Sequence, residues 1–416
     1  MFFLYQIIVS ALLLISPVII IYRILKNKED SKRFIEKFSI SSEKRRKGKL
    51  IWFHGASVGE IMSIIPLIKY YEKNNSINQI LITSSTLSSS KIIKKFKFKK
   101  TIHQFYPVDH FLLTNNFLNH WKPSLAIFIE SEIWPYMFKN LRDKKIPLIL
   151  LNARITKKTF NRWSKINFFS KIIFGMITVA YPQNLETKYF LKKIKTKKIN
   201  RIGNLKFAEN PEENFTIKNK KLKSELNKNK IWVASSTHKN EEIFCANAHK
   251  ELKKKNKNLI TIIIPRHVHR ANEIALEMKK INLNVAYHSS KIQTLKNIDI
   301  YIVDTFGETK LFHKISSTVF LGGSIINRGG HNPLEAARLG SKILHGPNTD
   351  NFKDVYKHLK LLNISKKINT PLQLASSIVF KKNKNSGKKI KKIGQKILNK
   401  TINELDNLIN NEYKKT

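Results

Sequence analysis

Leu321-Gly-Gly-Ser-Ile-Ile-Asn-Arg-Gly-Gly-His-Asn-Pro-Leu-Glu335 is the stretch whose reading decides the fold. An apolar strand, Thr318 to Leu321, runs into two Gly pairs and then into a helix expected to open at Asn332-Pro333. Asn at an N-cap with Pro at the first helical position is a strong helix start. Glycines let backbone come close to a ligand, and the free N–H groups of a helix start favour an anion. Glu335 falls in the first turn, where its carboxylate can accept hydrogen bonds from a ribose diol. A lone Gly pair would be an ordinary strand-to-helix turn. Two pairs with an Arg, a His and a first-turn Glu point to a nucleotide-phosphate site.

Working outward, short β-branched runs alternate with amphipathic stretches, the pattern of parallel sheets with crossover helices. Strands are expected near 49–54, 79–83, 102–105, 124–129, 147–152, 177–181 and 199–202, with helices such as 59–74, 134–144 and 183–194 between them. A Lys/Asn-rich, Gly-free segment, Glu209 to Lys230, breaks the rhythm. Strands resume near 231–235, 259–264, 299–303, 318–321 and 342–344, and basic helical sequence from about 388 to 412 follows, placed to pack back on the first domain. The expected division is an anchor over 1–24, a first domain over 25–208, an interdomain region over 209–230, a second domain over 231–387 and a C-terminal basic helix over 388–416. The fold class is α/β, two Rossmann-like doubly wound domains facing a cleft, with ligands at the carboxyl ends of the strands.

A chain of 416 residues with 42% hydrophobic composition can bury two full cores. The single cysteine, Cys245, excludes a disulfide framework and a Cys-based zinc site. Met1 to Tyr22 is nearly all apolar, broken only by Gln6, Ser10, Ser16 and Pro17, and no charge precedes Arg23. That length suits a bilayer's hydrocarbon core. Without a basic start or a small-residue cleavage site it reads as an uncleaved membrane anchor. Arg23, Lys26 and Lys28 then leave the body on the cytoplasmic side of the inner membrane. Pro17 and the modest length equally allow a shallow, monotopic insertion. The net charge of +48 is carried mainly by Lys in polar linkers, and it suits an anionic leaflet. With no zinc-finger spacing, RNA-recognition aromatics or helix-turn-helix pattern, no nucleic-acid partner is expected.

The first strand, Leu50-Ile-Trp-Phe-His54, leads through Gly55-Ala-Ser-Val-Gly59 to Glu60 at a helix start. A sugar-transfer enzyme needs a carboxylate to take the proton of the attacking hydroxyl, although a first-turn Glu more commonly serves the helix dipole. Glu130 and Glu132 end another strand, and alternation along an extended chain would put them on one side. Arg154 and Lys206 end later strands and offer the opposite charge. In the second half, Ser235 to His238, Pro265-Arg266-His267 and Asp304 to Glu308 all follow strands, which places Arg266 to face a phosphate bidentately. His267 and His269 lack helical zinc spacing, and no H-E-x-x-H or Asp-x-Asp occurs, so no metal site is expected.

Assembled, these residues resemble the 3-deoxy-D-manno-octulosonic acid (Kdo) transferases of lipid A biosynthesis. The motifs run in one order: HGASVGE at 54–60, ESEIWP at 130–135, NARIT at 152–156, GNLKF at 203–207, SSTHKNEE at 235–242, PRH at 265–267, FGE at 306–308, GGSIINRGGHNPLEAA at 322–337 and HGPNTDNF at 345–352. Two departures stand out. The family usually has a T-P-T-G turn where this chain has Thr86-Leu-Ser-Ser89, and a Gly where Asn240 stands. The resemblance implies the glycosyltransferase B fold and an inverting, metal-independent transfer of Kdo from CMP-Kdo to the lipid A precursor, with no cofactor. It implies Glu60 as general base, with Glu130 and Lys206 stabilising the transition state. Pro265, Arg266, Phe306, Gly307, Glu308, Asn332, Pro333, Leu334 and Glu335 would bind the CMP moiety. The alternative is a two-domain glycosyltransferase using a UDP-sugar.

Overall fold

A computed structural model describes residues 1–209, 220–290 and 294–412. The chain divides into two compact units, Met1–Asn210 with Gly394–Thr416, and Pro211–Ile393.

Unit 1 holds the strands β1 (Leu50–His54), β2 (Gln79–Ser84), β3 (Thr101–Phe105), β4 (Leu125–Ile129), β5 (Leu148–Ala153) and β6 (Val179–Pro182). Its helices are α1 (Phe2–Leu25), α2 (Val58–Lys73), α3 (Leu87–Lys94), α4 (Phe111–Trp121), α5 (Pro135–Asp143), α6 (Lys157–Lys165), α7 (Asn167–Gly175) and α8 (Leu185–Lys193). All pairings are parallel, in the order β3-β2-β1-β4-β5-β6. Strands buried on both faces read as unbroken apolar runs rather than alternating ones. Leu125-Ala-Ile-Phe-Ile129 is buried at every position. Trp52, Phe117, Phe128 and Phe138 fill the core between this sheet and its helices. Among the described residues one helix, α1, is long and apolar enough to cross a membrane.

Unit 2 runs α9 (Lys220–Asn227), β7 (Lys230–Thr237), α10 (Glu241–Lys253), β8 (Leu259–Pro265), α11 (Ala271–Lys280), β9 (Val285–Tyr287), β10 (Ile300–Ile302), α12 (Thr309–Ile315), β11 (Thr318–Leu321), α13 (Leu334–Arg338), β12 (Lys342–His345), α14 (Lys353–Leu361), β13 (Ser365–Lys367), α15 (Pro371–Ser377) and the start of α16 (Lys384–Glu412). The parallel order is β13-β12-β11-β7-β8-β10-β9. Its core gathers Trp232, Ile263, Ile274, Met278 and Phe320. From Gly394 onward α16 belongs to unit 1, where Glu404 accepts from the Tyr181 hydroxyl and Asp406 from those of Tyr70 and Tyr71.

Several expectations change. No strand forms near 199–202: Ile199 makes a single bridge to Ala180, and the chain then enters the Asn204-capped turn that carries Lys206. The edge strands β9 and β13, three residues each, are too short to leave a periodic signal. The region expected to be interdomain contains α9, which packs on β7, while residues 210–219 lie outside the described residues.

Both departures from the family pattern have local reasons. Thr86 is the N-cap of α3, its hydroxyl accepting from Ser89 N–H at 3.2 Å. Asn240 sits at φ +78°, a left-handed conformation that Gly adopts freely and Asn tolerates better than most residues. Asn240→Gly should therefore leave the melting temperature unchanged or raised. Asn240→Val should destabilise by about 1–2 kcal/mol, measured by denaturant titration.

Candidate active site

In a doubly wound sheet, ligands collect where the strand order reverses, because the loops from the two central strands leave in opposite directions. In unit 1 that point lies between β1 and β4, and the loops after these strands carry Glu60 and Glu130.

Ser57 caps α2, and Glu60 completes a capping box. Glu60 Oε2 accepts from Ala56 N–H at 2.7 Å and Oε1 from the Ser57 hydroxyl at 2.9 Å. Burial, then the like charges of Glu132 and Glu130, push its pKa from 4.5 up to about 7 against those hydrogen bonds. Glu60 is thus both a cap and a carboxylate poised near neutrality.

Glu130 is not on an extended strand. β4 ends at Ile129, and Glu130 has φ +56°, so alternation is not what sets its side relative to Glu132. Its N–H donates to the Leu151 carbonyl and its own carbonyl accepts from Arg154 N–H, which fixes the turn against β5. Its buried carboxylate meets the Lys206 ammonium at 2.6 Å. Of the two candidate cations, Lys206 makes the ion pair and Arg154 supplies a backbone donor. Asn204 Oδ1 holds Lys206 N–H at 2.9 Å, and Asn152 Oδ1 holds Leu205 N–H at 3.0 Å.

Glu132 is organised by residues that the motif reading left without a role. It accepts from Trp134 Nε1 at 3.0 Å and lies 3.1 Å from His54 Nε2. His54 Nδ1 contacts the Thr83 hydroxyl at 2.9 Å, which also accepts from Trp52 Nε1 at 2.9 Å. The directions that satisfy each group run from the Trp52 N–H to the Thr83 oxygen, from the Thr83 O–H to His54 Nδ1, and from His54 Nε2–H to Glu132. Tyr106 stacks on His54 at 3.9 Å. His54 was visible only as the first letter of a motif.

In unit 2 the order reverses between β7 and β11. The Gly pair after β11 serves the fold. A Cβ on Gly322 would lie 2.4 Å from the Ser236 carbonyl oxygen, and Gly323 has φ +66°. That close approach delivers the N–H groups of Gly323, Ser324 and Ile325 to the buried carboxylate of Glu241 at 2.6, 3.0 and 3.0 Å. His238 N–H adds a fourth at 3.1 Å. These amides face Glu241, whereas the sequence led us to expect backbone opened to a ligand. The helix start also shifts. Asn332 Oδ1 accepts from Leu334 N–H at 3.1 Å, Pro333 stands before the helix, and α13 has five residues. Its dipole is correspondingly small.

Side-chain cations dominate instead. His238 Nε2 and His331 Nε2 are 3.1 Å apart in parallel rings, with His267 edge-on to His238 at 6.0 Å. Burial first, then Arg266, hold the His331 pKa down to about 4, and burial with His267, Arg328 and Arg266 lowers that of His238. Arg270 is matched by Glu242 and Glu273, but neither Arg266 nor Arg328 has an acidic partner among the described residues. The patch is short of negative charge. Pro265 is buried at the end of β8 beside exposed Arg266. Phe306 is 87% exposed, Gly307 has φ +92°, and Glu308 precedes α12. Lys310 lies 3.8 Å from Glu335, whose pKa burial raises. Asp304 accepts from Ser289 N–H, and Ser235 contacts buried His313, so both serve the fold.

The fold resembles a glycosyltransferase from Rickettsia africae ESF-5, with a TM-score of 0.54 and 12% identity over 88% of this chain and 99% of that one. Two parallel-sheet units of this kind make the fold class glycosyltransferase-B-like. A family model described as 3-Deoxy-D-manno-octulosonic-acid transferase (kdotransferase) matches residues 32–209. The 3-deoxy-D-manno-octulosonic acid transferase of Rickettsia bellii (strain RML369-C) is 34% identical over 393 residues, 93% of this chain and 92% of that one. The probable mitochondrial 3-deoxy-D-manno-octulosonic acid transferase of Arabidopsis thaliana is 33% identical over 381 residues, 88% and 85%. The chain belongs to the Kdo transferase family and is a glycosyltransferase.

Two outcomes follow from the geometry. Glu241→Ala strands four buried or half-buried donors and should destabilise unit 2 by about 3 kcal/mol or more in chemical denaturation. For Glu60 the sign is set by its raised pKa: an unfolded Glu ionises near 4.5 and the folded one near 7. Stability therefore falls as pH rises through that window. Glu60→Gln keeps the cap and removes the fall, so its melting temperature should exceed the parent's at pH 8 and match it at pH 4.

Proposed function

We propose that this enzyme transfers Kdo from CMP-Kdo to a phosphorylated lipid A precursor, inverting the anomeric carbon and needing no divalent ion. The observation that carries the reading is the gathering of Glu60, Glu130 and Glu132 with Lys206, where burial and then the like charges of Glu132 and Glu130 bring Glu60 to a pKa of about 7. A general base works best with a pKa near the operating pH. In the reaction the acceptor oxygen forms a bond to the anomeric carbon while its proton passes to Glu60. The bond from that carbon to the CMP phosphate oxygen breaks, and the electron pair leaves with CMP. The Lys206–Glu130 pair holds charge steady beside the reacting groups, and His54 orients Glu132.

Arg266 and Arg328 supply positive charge for the single phosphate of CMP without a metal ion, and the neutral imidazoles of His238 and His331 offer hydrogen bonds beside them. Pro265, Phe306 to Glu308, and Asn332 to Glu335 hold the rest of the nucleotide, with the exposed Phe306 ring offering a face to the base and the Glu335 carboxylate accepting from ribose. The apolar α1 and the basic surface keep the enzyme on the cytoplasmic face of the inner membrane, where an anionic lipid acceptor lies.

Purified full-length enzyme, CMP-Kdo and a tetra-acylated lipid A precursor test the reading by product mass. Glu60→Gln should bind CMP normally and lose about 10² to 10⁴ in rate. For the parent, kcat/KM should fall below about pH 7, and Glu132→Gln should move that limb to lower pH by removing a like charge. Transfer should survive a strong chelator, and CMP should bind more tightly than UDP. Preference for UDP with chelator-sensitive turnover would overturn the assignment in favour of a UDP-sugar donor.

A further inference from the structure

α1 is apolar on almost every side, yet its first turn is fastened to the body of unit 1. The Tyr5 hydroxyl donates to Asp109 Oδ2 at 2.7 Å, and the Gln6 side-chain nitrogen lies 2.7 Å from His110 Nε2. The Tyr136 hydroxyl donates to the Phe2 carbonyl at 2.9 Å, and the Phe2 ring packs edge-on to Phe169 at 5.0 Å. Asp109 is itself fixed, because it accepts the first-turn N–H groups of Tyr136 and Met137 at 3.0 and 2.8 Å.

The other end is fastened to the same body. Arg23 pairs with Glu29 at 3.1 Å, Glu29 also takes the Lys37 ammonium, and the Lys37 carbonyl accepts from Val108 N–H, one residue before Asp109. Between the ends, Val9 and Ile20 are each only 7% exposed, whereas Leu14 on the opposite side is 83% exposed. One stripe of the helix is covered by protein along its length.

A helix of 24 residues is about 36 Å long, against about 30 Å for a bilayer's hydrocarbon layer. Were α1 to cross, Phe2 and Arg23 would stand on opposite faces. Both are instead fastened to unit 1, Phe2 through Tyr136 and Arg23 through Glu29 and Lys37. We propose that α1 does not span: it lies in the plane of a phospholipid surface, its outer face among the acyl chains and its N-terminus on the same side as the body. This deepens the membrane-anchor reading above and rests on it. A lipid surface is the occupant that fits, because the apolar face continues beyond the helix. Phe168, 76% exposed, adjoins Phe169, and exposed Leu112 adjoins Phe111, which packs on Tyr136. Lys157, Lys158, Arg162, Lys165 and Lys171 lie on α6 and α7, the second of which carries Phe168, and offer positive charge to anionic headgroups.

The test uses the full-length chain with a short protease-cleavable epitope ahead of Met1, bound to vesicles of phosphatidylethanolamine and phosphatidylglycerol. In molecules whose body is open to external protease, the epitope should be lost completely from the same side. Fluorophores at Leu14→Cys and Phe168→Cys should be quenched by nitroxide lipids. An epitope protected inside the vesicle while the body is cut would overturn the in-plane arrangement and leave the anchor reading standing. Failure of the full-length chain to bind vesicles would overturn both.

Discussion

A parallel sheet wound outward from a central pair of strands leaves the carboxyl ends of that pair uncovered, and the chemistry of both units depends on this constraint. In the first sheet the pair is β1 and β4, and in the second it is β7 and β11. The crossover helices leave each pair in opposite directions, so loops that are far apart in sequence meet there. Glu60 comes to Glu130 and Glu132, and His238 comes to His331, for that topological reason alone.

The two units concentrate opposite charge at these points, and each carries an electrostatic cost that the local structure offsets. Unit 1 crowds three carboxylates about one ammonium, and burial together with the excess negative charge appears as a raised proton affinity at Glu60. Glu130 stays buried because Lys206 meets it at 2.6 Å and because its left-handed backbone is fixed from β5. A buried ion pair contributes little net stability, but removing one partner is expensive. Unit 2 does the reverse. Glu241 is spent on four backbone donors that shape the glycine loop, so it offers little compensation to Arg266, Arg328 and the paired imidazoles. Burial first, and then the neighbouring arginines and histidines, lower the pKa values of His238 and His331.

The apolar first helix shows how one tertiary contact changes the meaning of a sequence signal. Length and hydropathy describe a segment able to span a bilayer. Tyr5 against Asp109 and Tyr136 against Phe2 tie its beginning to the same unit that holds its end. Hydropathy along the chain carries no record of those two fastenings.

Much of this protein was legible from residues alone. Unbroken apolar runs such as Leu125 to Ile129 and Leu259 to Ile264 announced two-faced parallel strands, and most elements fall within a residue or two of their expected positions. Local chemistry also placed Glu60 at a helix start, and Glu130 and Arg266 just after strands. What sequence could not settle was direction and partnership. The Gly322-Gly323 pair suggests close approach without naming what approaches, and only the packed structure shows that it is Ser236 and Glu241. Glu130 and Glu132 looked paired by alternation, whereas a left-handed turn sets their positions. His54, Thr83 and Trp134 carried no visible role, since a buried polar network has no period along the chain and exists only once three strand ends converge. Secondary structure follows from near neighbours in sequence, but charge, protonation and topology at a membrane follow from contacts made across a hundred residues or more.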